Sequence, residues 1–121
     1  MMDLKNKRKI GTHGEELAEA WLTQRGYEIV EKNHYTPRGE IDIVAYLDGI
    51  YYFVEVKYRR SLKYGSPKEA LTASKLKAMR YSAMSYVAEK QAYIQYKISF
   101  LGITSAVQDD INYEWLENVF E

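Results

Sequence analysis

The chain has 121 residues, enough for one domain with a real core and too few for two. It has no cysteine and only two histidines, His13 and His34, which excludes disulfides and thiolate chemistry and argues against a structural zinc centre. Formal net charge is zero, with 17 basic and 17 acidic residues, so no overall polyanion or membrane preference follows from the total.

Residues 1–11 are polar and basic and read as a flexible arm. No apolar core follows them as in a secretion signal, and no apolar run nears the ~20 residues that span a bilayer, so a cytoplasmic location without membrane contact is expected. Thr12-His13-Gly14-Glu15 has the form of a capping box and predicts a helix running to about Arg25 and stopping at Gly26. Leu17, Ala18, Trp21 and Leu22 form its apolar stripe. Of the acids on this helix, Glu15 lies nearest the stripe. It is the one placed to turn inward, unless it serves only as the reciprocal cap.

Tyr27 to Val30 predicts a first strand ending near Asn33, and His34–Gly39 a turn into a hairpin. The hairpin spans Gly39 to Arg60, GEIDIVAYLDGIYYFVEVKYRR, with Asp48-Gly49 as the two-residue turn. Counting outward from Leu47 and Ile50 sets Asp42 opposite Glu55 and Glu40 opposite Lys57. The Asp42/Glu55 position is of the closer, non-hydrogen-bonded kind, with Cα atoms ~4.5 Å apart. Two carboxylates so placed repel by up to roughly 4 kcal/mol at an effective dielectric of 20, unless a cation lies between them. Ile41, Ile43, Val54 and Val56 fill one face; Val44, Tyr46, Tyr51 and Phe53 continue the acidic one. Strands apolar on both faces are covered on both sides, so the acids are not freely solvated. The set predicts a metal site. The plainer alternative is a solvated strand end with a Glu55–Lys57 or Glu40–Lys57 pair.

After a polar loop, Ser66-Pro67-Lys68-Glu69 predicts a short helical turn through Leu71. Thr72 caps a longer helix to about Lys90, buried through Leu76, Met79, Ala83, Tyr86 and Val87. Lys75 falls in its first turn, where an ammonium opposes the helix dipole. Tyr93–Ile103 predicts a strand, Asp109-Asp110 a loop, and Tyr113–Phe120 a last strand or helix. Two helices on a mixed sheet of about five strands make an α/β layer arrangement. Residues 57–80 hold Lys57, Arg59, Arg60, Lys63, Lys68, Lys75, Lys77 and Arg80 against Glu69 alone, whereas 101–121 hold five acids and no base. Such asymmetry predicts a basic face for a polyanion, a solvated helix face being the bland alternative. Tyr58 and Tyr64 lie beside it and are candidates for contact with sugar or bases.

The order of motifs resembles the PD-(D/E)XK nuclease superfamily, archaeal Holliday-junction resolvases within it, and most closely the YraN-like family of bacterial proteins. The resemblance rests on Gly14-Glu15 and Ala18, Gly26-Tyr27, Asn33, Gly39-Glu40-Ile41-Asp42, Phe53-Val54-Glu55-Val56-Lys57, Arg59, Gly65, Pro67, Lys75 and Glu117-Asn118-Val119-Phe120. It implies a restriction-endonuclease-like three-layer fold, the sheet flanked by the N-terminal helix and the long second helix. It also implies a nuclease in which Asp42, Glu55 and the Val56 carbonyl hold Mg²⁺ or Mn²⁺. Lys57 would orient or deprotonate the attacking water, Glu15 would be an outer carboxylate, and Glu40 would position Lys57. Arg59, Arg60, Lys63 and Lys75 would grip the phosphate backbone. The implied partner is nucleic acid, DNA first, with branched or structured DNA and a homodimer left open. Two departures stand out: Ile41 replaces the proline of the PD element, and Tyr96-Lys97-Ile98 stands where the family often carries an Asp. The competing expectation is a nucleic-acid-binding module or protein adaptor that keeps the fold without the chemistry.

Overall fold

A computed structural model describes residues 4–63, 65–91, 93–107 and 110–121, leaving Tyr64 and Asp109 outside the described residues. Helix α1 (Leu4–Gln24) precedes strands β1 (Glu28–Thr36), β2 (Gly39–Leu47) and β3 (Ile50–Arg59). A 3₁₀ turn (Pro67–Ala70) and helix α2 (Ala73–Lys90) lead to β4 (Gln95–Val107) and β5 (Asp110–Leu116). The five strands form one sheet in the order β1-β2-β3-β4-β5, antiparallel except for the β3–β4 pair, which α2 connects. This is the α/β fold expected, two helices on a mixed sheet. Among the described residues no helix is long and apolar enough to cross a membrane.

The first helix begins at Leu4, so Thr12 lies inside it and the capping-box reading fails. Leu4 to Ile10 contain no helix breaker and several good helix formers, and propensity carries the helix upstream of the apparent cap. Its end is as expected. Gly26 takes φ +92°, the Gly26 amide donates to Thr23 and the Tyr27 amide to Leu22, the doubly bonded glycine stop. Beyond it β1 runs to Thr36 rather than Asn33, which leaves Pro37-Arg38 as the whole turn into β2. The second turn is as expected, with Asp48 and Gly49 both at positive φ, 50° and 86°. In the last segment Asp110 opens β5 rather than sitting in a loop, and Phe120 lies beyond the strand.

Two cores form, one on each face of the sheet. Ala18 and Leu22 of α1 pack on Ile43, Ala45, Tyr52, Val54, Leu101 and Ile103, flanked by Leu17 and Trp21. Met79, Ala83 and Tyr86 of α2 pack on Ile41, Val44, Phe53 and Ile98, with Leu76 and Val87 at the margin. Ile41 is thus on the α2 side, not with Ile43 as simple alternation requires. Near the outer edge of the α1 face, Trp21 stacks on Tyr113 at 5.8 Å and lies 5.5 Å from Trp115, which also meets Tyr27 and Tyr52.

Candidate functional site

The switch at Ile41 marks where β2 and β3 part. Their pairing follows the expected register from Leu47↔Ile50 to Ile43↔Val54 and ends there, although both strands continue. In a continued ladder the Val56 amide would bond the Ile41 carbonyl. Instead it donates to Asp42 Oδ2 at 2.8 Å. Asp42 and Glu55 therefore meet as converging side chains at a fork, not as a ladder pair. Beyond the fork β3 pairs with β4 alone, Glu55 beside Phe100 and Lys57 beside Gly102.

The fork opens into a cleft of about 470 Å³ lined by Gly14, Glu15, Asp42, Glu55, Val56, Lys57, Tyr58, Lys75 and Phe100, among others. Residues of α1, β2, β3, β4, the 3₁₀ turn and the start of α2 converge on it. Gly14 lets α1 come this close, since a Cβ there would stand 2.6 Å from Tyr58 Cβ. Tyr58 is held in turn by a 2.9 Å hydrogen bond to Ser105. The close approach brings Glu15 to within ligand-sharing distance of the strands, and oxygens of Glu15, Glu40 and Asp42 lie within 4.8 Å of one another.

Such crowding has an electrostatic cost that the fold meets in three ways. Burial, then the charge and hydrogen bonding of Glu55, push the Asp42 carboxyl up to about 9, against which the Val56 amide works. Asp42 is thus protonated at neutral pH when no cation is bound. Burial also raises Glu15, an effect opposed by its hydrogen bond with Asn33 and reinforced by Glu40. Asn33, at φ 55°, supplies the second device. Oriented by its partners, its amide donates to Glu40 at 2.7 Å and to Glu15 at 3.1 Å, tying α1 to β2. The third is an ammonium. Lys75 Nζ lies 2.8 Å from Glu55 Oε2.

The sequence-predicted residues fall as follows. Glu15, Asp42, Glu55, Val56, Lys57 and Lys75 share the cleft. The cation touching Glu55 comes from Lys75 across the crossover, while Lys57 lines the cleft without an ion pair among the described residues. Glu40 lies against Asn33 and the other acids rather than in an ion pair with Lys57. Arg59 ends β3, its Nε buried and without a hydrogen-bond partner among the described residues, and Arg60 and Lys63 lie on the exposed loop that follows. Asn33 and Gly14 had no role assigned from sequence. The signal for Gly14 was a helix-interior glycine, and for Asn33 a residue type that tolerates left-handed backbone.

The donor set suits a hard divalent cation: carboxylate oxygens with neither sulfur nor imidazole, two of the carboxyls close enough to share a proton in its absence. The residues present therefore fit Mg²⁺ or Mn²⁺.

The chain resembles proteins from several bacteria. A relative from Syntrophomonas wolfei, described as a UPF0102 protein, is 40% identical over 102 residues, which is 84% of this chain and 88% of that protein. One of the same description from Caldicellulosiruptor saccharolyticus is 44% identical over 87 residues, 72% of this chain and 74% of that one. The model of the uncharacterised protein family UPF0102 matches residues 14–103, the span that holds Gly14, the acids, Lys57 and Lys75. The YraN-like resemblance and this match coincide, and the chain belongs to the UPF0102 family.

Proposed function

We propose that this protein is a divalent-cation-dependent endonuclease that hydrolyses phosphodiester bonds in DNA, branched or otherwise structured DNA being the finer form of the reading. One observation carries it: Asp42 and Glu55 converge in a cleft that Lys57 also lines, burial and Glu55 together holding Asp42 protonated while no cation is bound. Half-buried acids this close are costly in a merely structural role and are useful where a cation is to be held.

Asp42, Glu55 and the Val56 carbonyl would hold the ion, with Glu15 and Glu40 behind them. When bound, such an ion polarises a phosphoryl oxygen and makes a coordinated water more acidic. Lys57 is the cleft ammonium left to orient the attacking water and offset charge on the pentavalent phosphorus. Arg59, Arg60 and Lys63, on the strand end and loop beyond it, would contact the phosphate backbone. Lys75 joins them once released from Glu55.

Cleavage of plasmid, linear and branched DNA by purified protein with Mg²⁺ or Mn²⁺ tests the reading. Activity should vanish in EDTA and in Asp42→Asn and Lys57→Met variants that remain folded. Failure to cleave any nucleic acid, combined with failure to bind either ion, overturns it. The competing binding module gains support from the Lys75–Glu55 pair, which leaves the cleft tolerable without an ion. It predicts salt-sensitive DNA binding that Asp42→Asn leaves intact.

A further inference from the structure

We propose that Lys75 is a latch on the cation site: its ammonium occupies Glu55 in the ion-free protein, a divalent cation displaces it, and the freed ammonium then grips substrate phosphate. The inference rests on the metal-dependent reading above and adds to it a reason why ion and nucleic acid should bind cooperatively.

Three observations carry it. First, the pair is short and asymmetric: Nζ to Oε2 is 2.8 Å, with the Glu55 side chain 14% exposed and that of Lys75 41% exposed. The carboxylate is fixed in the fork, while the lysine reaches it from the solvent side and can withdraw without opening the core. Second, Lys75 is a poor fit to its own helix. Its backbone amide is capped by Thr72 Oγ1 at 3.1 Å, which places the side chain in the first turn of α2, where the helix dipole repels an ammonium. Glu55 is what holds it there. Third, Glu55 is one of the two carboxyls that converge at the fork, so an ammonium and a divalent ion compete for the same oxygens.

The consequence is a linkage. Binding a cation costs the Lys75–Glu55 contact, and binding phosphate to Lys75 removes the competitor from Glu55. Each ligand therefore raises the affinity of the other, by the same factor. Lys75 lines the same cleft as Lys57, which puts the released ammonium where a phosphate entering the cleft would lie.

Titration of Mn²⁺ into wild type, Lys75→Met and Lys57→Met by calorimetry provides the test, with the ammonium nitrogen resonance of Lys75 in wild type followed as Mg²⁺ is added. The methionine variants keep the apolar stem and remove the charge. The latch predicts that Lys75→Met binds Mn²⁺ at least ten times more tightly than wild type. Lys57→Met, which removes a cleft charge but no competitor, should gain several-fold less. The Lys75 resonance should move from a protected, ion-paired position to a solvated one at saturating Mg²⁺. Equal gains in the two variants, or a Lys75 resonance unmoved at saturating Mg²⁺ in a protein that calorimetry shows to bind Mn²⁺, overturn the latch and leave the nuclease reading standing. Absence of ion binding in all three proteins overturns the latch and, together with failure to cleave any nucleic acid, the nuclease reading as well. The wild-type resonance decides the matter even where a variant folds poorly.

Discussion

Replacing Asp42 by asparagine should make the ion-free protein more stable, by an amount that grows with pH. The wild-type carboxyl titrates at about 9 in the folded chain against 3.8 as its ordinary value. Its folded value is raised, so the stability it contributes is complete below about pH 4 and is lost as pH rises through about 9. Between those limits the folded state binds a proton that the unfolded state has released. Each pH unit then costs up to about 1.4 kcal/mol, and at pH 7 the cumulative loss approaches about 4 kcal/mol as a ceiling. Asparagine is nearly the same size and does not titrate. Its carbonyl still accepts from the Val56 amide, and its NH₂ can donate to Glu55. Urea unfolding of both proteins in EDTA, from about pH 4 to about pH 9, should show curves that coincide at the acid end and diverge toward the alkaline end. Mg²⁺ should then stabilise wild type and leave the variant unmoved. A difference independent of pH, or a variant less stable at pH 7, would refute the argument that Asp42 is held protonated by burial and by Glu55.

Gly14→Ala should lower stability by about 1–3 kcal/mol, because the added methyl overlaps Tyr58 Cβ near the backbone of β3. A gain of about 1 kcal/mol in thermal unfolding, the ordinary helix-propensity effect, would show that α1 has room to lift. Asn33→Ala removes the amide that bridges Glu15 and Glu40 and leaves a left-handed backbone to a residue that disfavours it. A loss of about 1–3 kcal/mol is expected, growing with pH as Glu15, whose carboxyl burial raises, ionises, and denaturant unfolding across a pH series checks it.

What could be read from the sequence was local. Asp48-Gly49 set the turn, the turn set the register, and the register brought Asp42 and Glu55 together. Thr72 announced α2 because a cap and its helix are neighbours in the chain. The failures came from contacts between distant segments. Nothing near Asp42 says that the ladder ends at Ile43; it ends because Asp42 itself captures the Val56 amide while β3 continues against β4. Nothing near Lys75 says that it reaches Glu55, twenty positions earlier and across a crossover. Thr12 misled because a four-residue capping pattern also occurs inside helices, where the preceding residues are helical in their own right.

The aromatic nest gives this chain an optical handle of a particular kind. Trp21 and Trp115 are the molecule's two tryptophans, and both sit where α1 meets the outer strand. Their emission and near-ultraviolet dichroism therefore report whether the helix bearing Glu15 is seated, and should stay silent when Lys75 alone moves. A spectroscopist can thus follow assembly of the scaffold and events at the fork as two separate signals from the unlabelled and the nitrogen-labelled protein.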